Sequence, residues 1–147
     1  MLILLTHANH LWHDAKQVRK MQPFPPLQTL IAASVLRRAG HQVAFFDTTF
    51  ECDFESALAI HKPDLLVVCE DHFNFLTKMC LLKNREFAFS MAKAACVPAV
   101  VASSDASDHV QEYLDAGFKA VILGEVENTL AAVAGACGSD WSGIAGL

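Results

Sequence analysis

Pro63-Asp64-Leu65-Leu66-Val67-Val68-Cys69 is the stretch that decides the fold. Five consecutive apolar residues follow a proline–aspartate pair. A strand with one wet face alternates polar and apolar residues, whereas a run that is apolar throughout suits a strand covered on both faces, as in a parallel sheet. Comparable short runs recur on either side, at Leu2–Thr6 and at residues 41–47, 97–102 and 119–123. Pro98 stands near the start of its run, where a proline does not interrupt strand pairing. Longer segments of helical character separate these runs. Residues 27–39 place Leu27, Leu30, Ile31, Val35 and Leu36 on one helical face, and Gly40 follows, where a left-handed residue ends a helix. A short helix over Phe54–His61 starts beside Asp53, whose carboxylate suits a helix N-terminus. Residues 75–95 read as a long helix, Ser107 or Asp108 as the cap of one ending at Ala116-Gly117, and residues 125–137 as a fifth helix. Five strand–helix units with continuous apolar strands imply a doubly wound α/β domain, a parallel sheet between two helical layers.

The composition agrees. Of 147 residues, 53% are hydrophobic and only 18% charged, which supplies the apolar side chains that a sheet buried on both faces needs. The length is that of one domain. No apolar run approaches the roughly 18–20 residues of a membrane span, and Met1-Leu2-Ile3-Leu4-Leu5 lacks the basic flank and cleavage site of a secretory signal. The net charge is −5 and the eleven Lys and Arg residues are scattered, so neither a nucleic-acid face nor a polybasic membrane patch is present. Five widely spaced cysteines, Cys52, Cys69, Cys80, Cys96 and Cys137, form no C-x-x-C pair. They read mostly as small buried apolar groups in a reducing, cytoplasmic setting rather than as a disulfide or zinc framework.

One connection departs from the pattern. Twenty residues separate Thr6 from Leu27, where a βα loop has about two to six. This segment carries His7, Asn9, His10, Trp12 and His13, then Phe24-Pro25-Pro26. Ligands of doubly wound folds bind beyond the carboxyl ends of the strands, so a long polar and aromatic loop there is a site signal. Glu70-Asp71-His72 follows the third strand at the same edge. A carboxylate beside an imidazole can orient a proton carrier or bind a metal, and three polar residues closing a strand are also ordinary loop chemistry.

Several fragments, in order, resemble one family. Pro25-Pro26-Leu27 is similar to the PPLG start of the first helix in cobalamin-binding domains that precede radical S-adenosylmethionine barrels. Leu36-Arg37-Arg38-Ala39-Gly40-His41-Gln42-Val43, followed by Asp47, resembles their LR-x-x-GH-x-V turn. Lys62-Pro63-Asp64-Leu65-Leu66 resembles the start of their third strand, and Val97-Pro98-Ala99-Val100-Val101 their VPVVLGG strand. Gly124-Glu125-Val126-Glu127-Asn128-Thr129-Leu130 is similar to GEGE-x-T-L, and Trp141 to Leu147 to the IPG-L stretch leading into the barrel. The resemblance implies a flavodoxin-like (Rossmann-like), five-stranded, three-layered domain of strand order 2-1-3-4-5 over residues 1–138. Residues 139–147 then begin a linker to a downstream domain. Independently of the resemblance, Trp141, Ile144 and Leu147 are apolar and follow a Gly138-Ser139 break, so they are expected to be loosely held or packed on a neighbouring copy.

The same resemblance implies a module that holds cobalamin and presents it to a radical S-adenosylmethionine barrel in the same polypeptide, its only expected partner. The iron–sulfur cluster and S-adenosylmethionine belong to that barrel, since this chain lacks the C-x-x-x-C-x-x-C motif. No catalytic residue is expected here. The cofactor-binding candidates are Thr6, His7, Asn9, His10, Pro25, Pro26, Leu27, Glu70, Asp71, Ser103, Ser104, Asp105, Gly124, Glu125 and Glu127, with His10 or His7 as a possible cobalt ligand. The chain departs from the family in three places. Ser103-Ser104-Asp105 stands where the family has two glycines that let backbone approach the ligand. Val126 replaces the second glycine of GEGE, and the D-x-H-x-x-G cobalt-ligation motif is absent. Glu125 and Glu127 also read simply as carboxylates favoured by a helix dipole. These departures keep open a cofactor-free domain of the same fold that caps a barrel and helps bind substrate. A signalling receiver lacks its paired acids after Thr6 and its lysine after the fifth strand, and a flavodoxin lacks its phosphate loop.

Overall fold

The computed structural model describes residues 1–8, 12, 15–70, 81–136 and 139–147. In chain order the elements are β1 (Leu2–Thr6), α1 (Ala15–Lys20), α2 (Leu27–Arg38), β2 (Gln42–Phe46), α3 (Phe54–His61) and β3 (Leu65–Cys69). They continue with α4 (Leu81–Ala94), β4 (Ala99–Ala102), α5 (Ser104–Asp108), α6 (Val110–Asp115), β5 (Ala120–Ile122) and α7 (Val126–Gly135). All strand pairings are parallel, and the order is β2-β1-β3-β4-β5. This is the flavodoxin-like arrangement expected from the sequence.

The pleat divides the apolar runs between two cores. Ile3, Leu5, Leu65, Val67, Val100 and Ile122 face α2 and α7. Leu4, Leu66, Val68, Val101 and Val121 face the layer of α3, α4, α5 and α6. Every residue of β3 is buried. Each such Leu, Ile or Val contributes about 1.5–3 kcal/mol relative to an exposed side chain, so the uninterrupted apolar runs hold both helical layers. Asp64 sets the register at the amino edge, its carboxylate accepting from the Leu2 amide at 2.7 Å.

Local stops and starts follow from single residues. Gly40 has φ +90° and donates to the Arg37 carbonyl, while the His41 amide donates to Leu36, which together close α2 with a left-handed cap. Asp53 caps α3 by accepting from the Ser56 amide at 2.9 Å. After β4 the helix starts earlier than expected. Ser103, not Ser107 or Asp108, is the cap, because its hydroxyl accepts from the Ala106 amide at 2.8 Å. Ser107 lies inside that first turn and donates back to the Ser103 carbonyl. The helix then breaks at His109 (φ −130°, ψ 39°), giving α5 and α6 in place of one helix. Of the helix expected over residues 75–95, residues 75–80 lie outside the described residues. Helix α1, inside the long loop, carries no amphipathic signal that the sequence reading detected.

Two expectations are corrected. Cys52 and Cys96 are exposed and only Cys69 is buried among the described cysteines, because the first two stand in connections rather than strands. Residues 139–147 are not loosely held. Trp141 is 5% exposed and belongs to the same core as Leu130 and Val133, with Ile144 and Leu147 packed against it. Its indole N–H donates to the Ala136 carbonyl at 3.2 Å, and the Lys119 ammonium sits 4.0 Å from its ring centroid. The Leu123 amide donates to Gly146 and the Thr129 hydroxyl to Ala145, tying the segment to β5 and α7. Trp141→Ala is therefore expected to destabilise the chain by about 3–5 kcal/mol, the cost of truncating a buried aromatic side chain. Urea denaturation checks this, and a loss below about 0.5 kcal/mol, as for an exposed position, would return the segment to a loose tail.

Candidate functional site

Chain reversal in this sheet falls between β1 and β3, so the crevice above their carboxyl ends is the expected ligand position. Five strand ends reach this edge: Thr6-His7, Phe46-Asp47, Cys69-Glu70, Ala102-Ser103 and Ile122-Leu123. Thr29, in the first turn of α2, donates to the Cys69 carbonyl at 3.1 Å and fixes that helix start against the end of β3.

On the β2 side, His7 is 1% exposed and both ring nitrogens are engaged. Nε2 lies 2.9 Å from Asp47 Oδ1, and Nδ1 lies 3.1 Å from the Thr48 hydroxyl. Both nitrogens of His7 therefore already have partners within the protein. Burial raises the Asp47 pKa, but bonds from His7 and from Thr49 outweigh it and hold the carboxyl below its usual range. The Thr49 amide donates to Oδ1 at 2.9 Å, and the Trp12 indole N–H donates to the Thr49 carbonyl at 3.2 Å. Thr6 is buried, its hydroxyl directed to the His7 carbonyl at 3.4 Å. Beside Asp47 opens a cleft of about 260 Å³ whose walls include Phe24, Pro25, Pro26, Phe45 and Phe50. Leu27, one residue on, is exposed.

On the other side of the reversal lies a polar network. Asp105 accepts two parallel bonds from Arg85, each 2.7 Å, and a third from the Tyr113 hydroxyl at 2.9 Å. Arg85 also reaches Glu112 at 2.8 Å. Burial raises the Asp105 pKa and the Arg85 bonds more than offset it, so the carboxyl stays ionised. Burial pushes the Tyr113 hydroxyl well above its usual range. Ser103 is buried, occupied as the cap of α5. Glu70 is 2% exposed, and its Oε1 has no hydrogen-bond partner among the described residues. Burial pushes its pKa up to about 7, with a Ser103 hydrogen bond opposing, Asp105 adding to the rise and Arg85 opposing it. The same burial, with Glu127 and Glu70 nearby, pushes the Cys69 thiol up to about 12, so it is no nucleophile.

The structure thus brings Glu70, Ser103 and Asp105 together on one side and His7 with Asp47 on the other. Ser103 and Asp105 are consumed by internal bonds rather than offered to a ligand. Gly124 (φ +80°) faces open space, and Glu125 is exposed at the start of α7 without a side-chain capping bond. Ser104 is exposed and Glu127 half-buried. Asn9, His10 and Asp71 lie outside the described residues. Among the described residues no group of three or more His, Cys, Asp or Glu is placed to hold a metal ion, and no helix is long and apolar enough to cross a membrane. The sequence reading passed over Asp47, Arg85 and Tyr113 as site components. Asp47 had a usable signal, since it ends the strand beside β1; Arg85 and Tyr113 become neighbours only through packing. No protein-family model matches the chain, and no curated protein matches it either.

Glu70 gives a pH dependence. Its folded pKa is raised above the unfolded one, so the folded state retains a proton that the unfolded chain releases, and stability falls as pH rises from about 4.5 to about 7. Glu70→Gln removes that loss. The variant is expected to gain on the order of 3 kcal/mol over the parent between pH 4.5 and pH 8, read as the difference between two urea-denaturation series. Parallel pH profiles for the two proteins would show that Glu70 is not the group responsible.

Proposed function

We propose that this chain is a non-catalytic cobalamin-binding module of a radical S-adenosylmethionine enzyme, working in a reducing, cytoplasmic setting and presenting the corrin to a downstream barrel. The reading rests on the family resemblance of the PPL, LRRAGHQV and GEVENTL segments together with the doubly wound fold. The single observation that carries it in the structure is Glu70 Oε1, a buried oxygen at the chain reversal without a hydrogen-bond partner among the described residues. Buried polar atoms are nearly always satisfied, so an orphan at a binding edge suits a ligand N–H such as a corrin amide. Gly124, open to the same edge, lets backbone approach a ligand, and Glu125 is exposed beside it. Bound cobalamin supplies methyl-transfer or radical chemistry, while the protein contributes position and electrostatics. His7 is not a cobalt ligand in this reading, because Asp47 and Thr48 hold both of its nitrogens.

A second reading is favoured by Ser103 and Asp105. Their polar atoms turn inward to α5, Arg85 and Tyr113, which closes the part of the edge where the resembled family opens with glycines. A cofactor-free domain of the same fold, capping a barrel and helping to hold substrate, needs no such opening.

Gel filtration with hydroxocobalamin separates the two. The cobalamin module is expected to elute with colour and to unfold at higher temperature, since a ligand selective for the native state stabilises it by mass action. His7→Ala is expected to leave the visible spectrum of the bound cofactor unchanged. Colourless protein, both from this chain and from the chain joined to its barrel, would favour the capping domain.

A further inference from the structure

The cleft on the β2 side has a chemistry that the cobalamin reading does not use. Its volume is about 260 Å³, and Phe24, Phe45 and Phe50 line it together with Pro25, Pro26 and Asp47. Phe24 and Phe50 are 74% and 76% exposed, an unfavourable position for two large apolar rings that line one small cleft. Among the described residues that line it, Asp47 is the one charged side chain and none is basic. The Asp47 side chain is 18% exposed, so the carboxylate is largely withdrawn from water yet still reachable from the cleft. His7 and the Thr49 amide grip Oδ1, and the Asp47 amide donates to Glu51 at 3.1 Å, which fixes the turn.

An ionised carboxylate and aromatic rings attract the same kind of guest. The face of a phenyl ring is negative, so rings that line a cleft favour a cation over a neutral group of equal size, and more so where water is partly excluded. A carboxylate adds a Coulomb attraction strengthened by partial burial. An anion is opposed by Asp47, and a neutral apolar guest covers the carboxylate without adding to the bonds that His7 and the Thr49 amide already give Oδ1. The geometry points to a binding site for a small alkylammonium group, of the methylated or quaternary type, held between Phe24, Phe45 and Phe50 with Asp47 as counter-ion. The cleft shares Pro25 and Pro26 with the cobalamin candidates, but the assignment rests on Phe24, Phe45, Phe50 and Asp47, none of which is among them.

Choline and its uncharged isostere 3,3-dimethyl-1-butanol are the probes, titrated into the 147-residue chain. Saturation transfer from protein to the probe methyl protons, and amide shifts at Thr49 and Phe50, report binding. Choline is expected to bind about tenfold more tightly than the alcohol, given the combined ring and carboxylate attraction. Phe24→Ala and Phe50→Ala, both at exposed positions that the fold does not need, are expected to weaken choline about threefold each. Asp47→Asn should abolish the preference for choline over the alcohol. Because Asp47 also holds His7, its thermal unfolding is measured alongside, and the two phenylalanine variants keep the test decisive if Asp47→Asn does not fold. Equal binding of the two probes would reduce the cleft to an apolar surface and overturn the assignment. So would no choline binding at tens of millimolar, or choline binding untouched by both phenylalanine variants.

Discussion

Burial of β1 and β3 on both faces is the constraint on which the rest of this structure depends. A parallel pair cannot be closed by a tight turn, so each strand must be followed by a crossing segment that covers one face of the sheet. Ile3, Leu5, Leu65 and Val67 demand one helical layer, while Leu4, Leu66 and Val68 demand the other. Once both layers are present, the strand ends have only one place left for polar residues, the edge where the chain turns away. The grouping of His7, Asp47, Glu70 and Ser103 there follows from the apolar pattern of the strands rather than from any attraction among them.

The fold was therefore legible in residues that carry no chemistry. The apolar runs, Gly40 and Asp53 are local signals, and each acts in the structure as its neighbours in sequence suggest. The site was legible only in part. Glu70 and His7 stood out because they end strands, but their surroundings depend on partners 33 to 41 residues away, Ser103 for one and Asp47 and Thr48 for the other. Nothing in the local sequence says that both nitrogens of His7 are taken. The same holds for the cap after β4, read as Ser107 or Asp108 while Ser103 supplies it; which side chain meets a free amide depends on where β4 stops. Trp141 misled for a related reason, since Gly138-Ser139 reads as a break while the pocket that receives the indole is made by β5 and α7.

The two sides of the edge have opposite electrostatic character. Around Asp105 the one guanidinium of Arg85 is shared by two carboxylates and the Tyr113 hydroxyl adds a further bond, so the network stiffens the junction of α4, α5 and α6. Around Asp47 the partners are an imidazole, a hydroxyl and backbone amides, and the wall is otherwise hydrocarbon. On the first side Asp105, Arg85 and Tyr113 satisfy one another and Glu70 Oε1 alone is left over, while the second keeps an acidic group facing apolar surface. Rigid support for a site and the site itself are commonly separated in this way.

The way the final residues lie against β5 has a consequence for how copies of this chain behave together. β5 is three residues long and stands at the margin of the sheet, where an unpaired row of amides and carbonyls can recruit a strand from another molecule. The bond from Leu123 to Gly146, with Trp141 and Leu147 set along the same flank, puts ordered chain in the path of such recruitment. Part of an edge that would otherwise be open to strand pairing is thus occupied by the chain's own final residues.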